Sequence, residues 1–238
     1  MQCNLRALTS MAPRDIVLEA AILYQQHHEA RIDVQSAGGV DVARRVVAGE
    51  PVDIVVLAGD AIDKLIAAGK LLSGERTDVM ESEIAIGVPA GSKHPDIADE
   101  HTLKTLLLEA ESLSYSTGPS GQYLEKLFER WEIHERLRDR IIVPPPGVPV
   151  AQLIASGKVA LGFQQLSELI AAPGVEVAGL LPATVQQITT FSAGISTTCE
   201  NVEEARRFVR FAASEALDPI KRRHGMAPAR CGATTAGR

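Results

Sequence analysis

The chain has 238 residues, of which 24 are basic and 30 acidic, for a formal net charge of −6. This acidic balance, with only 4% aromatic residues and a single tryptophan, Trp131, provides neither a phosphate-tracking surface nor a base-stacking platform, so nucleic acid is excluded as a partner. No apolar run reaches the ~18 residues a membrane-spanning helix needs, so no membrane insertion is expected.

With 45% hydrophobic residues, the length suits one large core or two modest ones. The three cysteines, Cys3, Cys199 and Cys231, are far apart and odd in number, with no C-x-x-C spacing. They read as reduced structural or incidental thiols, and no metal or cofactor is expected. Met1 to Arg6 shows no basic region followed by an apolar stretch and a small-residue cleavage site. As written, the chain is expected in the cytoplasm, or in the periplasm if a signal was removed.

Strand and helix signals alternate from the start. Cys3 to Leu8 reads as a buried strand, and Thr9-Ser10-Met11-Ala12-Pro13 as the opening of a helix carrying Ile16, Val17, Ala20, Leu23 and Tyr24. Arg31 to Gln35 is a second strand, Ser36 to Gly39 a turn, and Val42, Ala43, Val46 and Val47 the inward face of a second helix. Asp53 to Ala58 and Ala61 to Ala68 repeat the unit. The alternation predicts an α/β fold with parallel pairing.

The middle of the chain follows the same plan. Strands are predicted at Met80 to Val88, Leu113 to Ser116, Ile141 to Val143 and Val159 to Phe163. Helices are predicted at His101 to Ala110, after Gly121 (carrying Leu124, Leu127, Phe128 and Trp131), and after Gly147 (carrying Val150, Leu153 and Ile154). Val185 to Ile195 is a further long strand pattern, and Glu203 to Ala213 a last helix. Residues 42–49 and 150–157 share a spacing, and each precedes a buried strand and a Leu-Ile-Ala-Ala helix end. This internal echo predicts two related lobes, lobe I from 1–80 plus 190–238 and lobe II from 81–189.

Four strand-to-helix turns are rich in Ser, Gly, Thr or Pro: Thr9-Ser10, Ser36 to Gly39, Ser116 to Gly121, and Gly147-Val148. Such turns leave backbone N–H groups free at helix starts, where the dipole is positive, and in open α/β sheets they lie where ligands bind. Singly, each is an ordinary helix cap. Together they predict a cleft of donors for a small anion, with no phosphate loop or dinucleotide fingerprint present. Arg14, at the first turn of helix one, is the candidate partner of a ligand carboxylate, against the plainer reading of a solvated or acid-paired arginine. Arg6 is an odd charge in an apolar strand, read as a partner of a hinge acid or as reaching the cleft. Gln164 and Gln165 end a buried strand, where packing explains a polar pair poorly. The six histidines read as surface or capping residues.

These stretches resemble the type II periplasmic solute-binding proteins, most closely the molybdate-binding proteins of ABC transporters. The residues that carry the resemblance are Leu8-Thr9-Ser10, Gly49 to Val56, Pro119 to Tyr123, Ser156 to Phe163 and His224 to Ala229. It implies two α/β lobes, each a mixed, mostly parallel sheet flanked by helices, joined by two crossing strands. It also implies a small anionic ligand in the inter-lobe cleft, hinge motion, and an ABC permease as partner if the chain is exported. Carried over by position, the ligand-binding residues are Ser10, the Ser36-to-Gly39 turn (Ser36, Gly38 and Gly39), Ser120, Val148 and Gln165, and the reading of the residues themselves adds Tyr123 and Arg14 to the set. The second turn departs from the family in being Gly-rich, and Gln165 stands where the family has tyrosine.

Two functions are therefore expected. The first is binding of an oxyanion or small carboxylate. The second is an enzyme on the same scaffold, an isomerase, tautomerase or lyase of a small carboxylate, with Tyr123, Arg14 or an acid as the proton-transfer group.

Overall fold

The computed structural model describes residues 3–145 and 148–229. Its first third alternates as the sequence predicts: β1 (Cys3–Ser10), α1 (Arg14–His27), β2 (Ala30–Ala37), α2 (Gly39–Val47), β3 (Ile54–Ala58) and α3 (Gly59–Ala67). A 13-residue strand, β4 (Thr77–Pro89), leads into α4 (Glu100–Glu109), β5 (Leu113–Tyr115), α5 (Pro119–Arg130), α6 (His134–Leu137), α7 (Val150–Ala155), β6 (Leu161–Gln165), α8 (Leu166–Leu169) and β7 (Val175–Leu180). The chain closes with β8 (Ile188–Ile195), α9 (Val202–Ala213), α10 (Asp218–Arg223) and β9 (Ala227–Pro228).

The strands run in the order β2-β1-β3-β8-β4-β6-β5, with β7 and β9 also on β4. β1 pairs in parallel with β2 and β3, and β5 in parallel with β6. β8 is antiparallel to both β3 and β4, and β4 is antiparallel to β6 and β7. The crossing strands are thus β4 and β8. Thr77 to Glu83 pair with β8, whereas Ile84 to Gly87 pair with β6.

The apolar residues of each strand divide between two faces, because successive side chains alternate. In β3, Ile54 and Val56 pack with Leu5, Ile16, Tyr24, Phe191 and Phe208 under α1 and α9. Val55 and Leu57 pack on the opposite side with Leu8, Val42, Val46 and Ile62 under α2 and α3. Burial on both faces explains the continuous apolar run of a central strand. β4 divides likewise: Ile84, Ile86 and Val88 pack with Leu103, Leu107, Phe128 and Phe163, and Ala85 with Val150, Ile154 and Leu169. Two lobes result, each with a sheet covered on both faces.

The internal echo reappears in the backbone. α2 and α7 both end on a left-handed glycine, Gly49 (φ 86°) and Gly157 (φ 68°), a conformation that favours a residue without Cβ. In each, the glycine N–H donates to the carbonyl three residues back, Val46 or Ile154, and the next N–H to the carbonyl five back, Arg45 or Leu153. This double bond satisfies the helix's last carbonyls.

Several expectations are corrected. Ile141 to Val143 is not a strand: only Ile141 bridges Leu113, and Ile142 and Val143 are exposed. β5 is three residues long and offers a short edge, and Pro144 lacks the next donor. β2 runs through Ser36 to Ala37, so the predicted turn shrinks to Gly38. β7 lies outside the predicted pattern, because its six residues are all half-buried and show no apolar–polar contrast. Among the described residues no helix is long and apolar enough to cross a membrane.

Candidate functional site

The carboxyl end of β1 carries the first candidate. β1 extends to Ser10, and α1 starts only at Arg14 with Pro13 at its N-cap and no capping side chain. Ser10 is therefore not a helix cap. It is 8% exposed, and its Oγ has no hydrogen-bond partner among the described residues. Gly39, the first residue of α2, lies against it, since a Cβ there would sit 3.6 Å from Ser10 Cβ. Gly38 at the N-cap supplies no capping side chain, so the positive end of α2 opens beside an unpartnered hydroxyl. Ser36 stands in register with Thr9 on the neighbouring strand, half-buried.

The second lobe contributes the turn before α5. Ser120 is 1% exposed and its Oγ lies 3.2 Å from Ser116 Oγ, which also accepts the Gly118 N–H. A Cβ on Gly121 would fall 1.6 Å from the Ser116 carbonyl oxygen, so this tight turn requires glycine there. Tyr123 is turned away from a free role: its hydroxyl donates to the Val185 carbonyl at 2.9 Å. The N–H of Val148, expected as a backbone donor, donates to the Pro145 carbonyl at 3.1 Å. The rest of that predicted turn, Pro146 and Gly147, lies outside the described residues.

Where β4 and β8 cross, polar side chains are buried together. Gln165 ends β6 opposite Ile84, and its Nε2 donates to Thr189 Oγ1 at 2.9 Å. Thr189 stands opposite Ser82 in the β4–β8 register. Both Gln165 Oε1 and Ser82 Oγ are buried with no hydrogen-bond partner among the described residues. An unsatisfied buried oxygen costs about 1–3 kcal/mol, so a cluster of them marks a place where the fold gives up stability. Ser82 and Thr189 carry no signal of a site in the sequence, because Ser82 sits between Glu81 and Glu83 and Thr189 beside Thr190, in strand patterns whose polar residues read as solvent-facing.

Arg14 is held by its neighbour. Its Nε donates to Asp15 Oδ1 at 2.8 Å, and this bond raises its affinity for its proton. Arg14 also feels the charge of Glu168, which belongs to the other lobe. Glu168 is half-buried on α8, and its Oε1 accepts the Gln164 Nε2 at 2.7 Å. Gln164 in turn accepts the Ala151 N–H through Oε1 at 3.2 Å, which fixes the orientation of its amide. Burial pushes the Glu168 carboxyl up to about 7, against the opposing pull of Gln164, the Gln165 N–H and Arg14. Arg6, by contrast, is exposed and lines a surface depression with Asp33, Gln35 and Glu50, away from this set. No three His, Cys, Asp or Glu side chains among the described residues gather as a metal-binding set.

Residues 5–227 match the family described as bacterial extracellular solute-binding protein. The chain belongs to this family. Among solved structures it is similar to the periplasmic molybdate-binding protein of Azotobacter vinelandii, with a TM-score of 0.77 at 18% identity over 95% of this chain and 100% of that one. The sulfate-binding protein SubI from Mycobacterium tuberculosis gives a TM-score of 0.77 at 16% identity, covering 96% of this chain and 88% of that one. At these identities the likeness establishes the two-lobed fold of the periplasmic binding proteins. A curated relative, an aconitate isomerase from a Pseudomonas species, is 32% identical over 220 residues, 89% of this chain and 83% of that protein. As a member of the solute-binding family, the chain binds a small solute.

Proposed function

We propose that this solute-binding protein takes a small carboxylic acid in the cleft between lobe I (1–80 with 190–238) and lobe II (81–189). The observation that carries the reading is Ser10, a buried hydroxyl without a partner beside the glycine-opened start of α2. An anion there gains a hydroxyl and helix N–H donors without displacing any protein bond. Ser36, Gly38 and Gly39 complete that wall, Ser120 and Tyr123 belong to the opposite one, and Gln165 forms the base. Arg14 is the balancing cation, although its bond to Asp15 must loosen to reach a ligand. Carboxylate suits this set better than a tetrahedral oxyanion, because the hydroxyl expected at position 165 is an amide. The similar protein named for aconitate supports the same class.

A second reading, conversion of that acid, is favoured by Glu168, a carboxyl that holds its proton near neutrality in the same region. A transport role would instead require export and a permease partner. Thermal-shift and calorimetric titration with cis- and trans-aconitate, citrate, malate, molybdate and sulfate tests the proposal. Tricarboxylates are expected to raise the melting temperature, since a ligand of the native state alone must stabilise it. Stabilisation by molybdate or sulfate and by no carboxylate would overturn it.

A further inference from the structure

We propose that Glu168 is the proton-transferring residue of the cleft, acting on an unsaturated carboxylic acid whose double bond can migrate by one position. The inference rests on the carboxylate-binding reading above and adds the reacting group.

The geometry is that of a positioned acid–base. Gln164, near the end of β6, and Glu168, four residues on in α8, meet across the strand-to-helix junction, and the Gln164 amide is locked by the Ala151 N–H, so its donor end faces Glu168. One carboxyl oxygen, Oε1, is thereby anchored. Glu168 occupies the third position of α8, where an acid commonly reaches back to the N-cap backbone, and the Gln165 N–H does act on it. Capping alone is usually a surface role; here the same carboxyl sits partly buried between the lobes. The packed neighbours leave it one opposing charge. Arg14 faces it from α1, itself bonded to Asp15. The loop at Gly225 packs on Leu166, but its charged residues, Arg223 and His224, are both turned onto Glu19. Tyr123 is bonded to a backbone carbonyl, so Glu168 is the better carrier.

The step balances without a co-reactant. Ionised Glu168 takes a proton from the methylene between a carboxylate and the double bond. The C–H electron pair becomes the new double bond, and the old π pair shifts to the far carbon. Protonated Glu168 returns the proton to that carbon, so the acid is isomerised and Glu168 regenerated. A carboxyl poised near neutrality serves both halves.

The test uses the whole chain with cis- and trans-aconitate as probes, in D2O. Proton NMR follows deuterium entry at the methylene and interconversion of the isomers, and calorimetry follows binding. Wild type is expected to do both, with kcat/KM rising through pH ~7 as Glu168 ionises. Glu168→Gln keeps the size and the bond to Gln164. It is expected to lose exchange and isomerisation by roughly a hundredfold or more while affinity stays within about threefold. Gln164→Ala is expected to shift the pH profile, which a merely structural role would not. Exchange surviving in Glu168→Gln would overturn the assignment. Wild type that binds without exchange would overturn it too, yet leave the binding reading standing. Wild type that binds neither probe nor any other carboxylate would overturn that reading first.

Discussion

Gly87 and Gly162 face each other across β4 and β6, and Ile154 of α7 fills the space above both. A Cβ on Gly162 would lie 2.3 Å from Ile154 Cδ1 and 2.7 Å from Val150 Cγ1, and one on Gly87 2.9 Å from Ile154 Cδ1. The bare pair is what lets α7 lie close on the sheet. Overpacking a filled core costs about 1–3 kcal/mol, so Gly162→Val should lower the unfolding free energy measured by urea titration by an amount in that range. Adding Ile154→Ala to Gly162→Ala should return part of the loss, because the two positions share one volume.

Ser10→Ala separates ligand binding from stability. The Ser10 hydroxyl is buried without a partner, so removing it takes away a desolvated group and no protein bond. The variant should be as stable as wild type or more stable by up to ~1 kcal/mol, while carboxylate affinity falls by about tenfold. Calorimetry and thermal melts on the same samples check both halves.

The Glu168 carboxyl gives stability a pH signature. Its folded-state value, about 7, lies above the ordinary carboxylate value of 4.5. Between these two the folded chain holds a proton that the unfolded chain has lost, so stability falls as pH rises through this window. Below it the group contributes nothing either way, and above it the full cost is present. Glu168→Gln should match wild type near pH 4 and exceed it above pH 7 by about 2 kcal/mol, once partial exposure is allowed for. Denaturant titrations at the two pH values measure the difference.

Lys221 is fully buried on α10, and its ammonium donates to the Ala213 and Ser214 carbonyls and to Asp218 at 3.2–3.3 Å. It ties off the end of α9. Lys221→Ala should cost about 3 kcal/mol, since it leaves those acceptors buried without the charge that satisfies them. Lys221→Met, which keeps the packing, should cost less. Thermal unfolding of the two variants ranks them.

The repeating unit was legible in the sequence because its signals are local. Val42 and Val46 on one helix, and Val150 and Ile154 on the other, fall at helical spacing, and each helix stops at a glycine with positive φ. Ser10 was legible as a candidate through its place at a strand end, but the cap expected there is not formed because β1 runs on to it. Glu168 was not legible. A Ser-Glu-Leu stretch reads as any helix start, and what singles out this acid is its burial between segments more than a hundred residues apart in the chain. The bond from the Val148 N–H to the Pro145 carbonyl is likewise visible only in the folded turn.

The insertion of β8 between β3 and β4 has a consequence for synthesis. Tyr24, on the buried face of α1, donates to Glu204 on α9 at 2.7 Å, across 180 residues of sequence. At ribosomal rates of roughly 5–20 residues per second, about ten seconds or more separate the two. During that interval β3 presents an open edge, and the apolar underside of α1 lacks Phe208. The second lobe draws its core from residues 84–185 and has its parts in hand earlier. The nascent chain therefore emerges with its middle stretch the first able to mature, and its earliest strands wait longest for their partners.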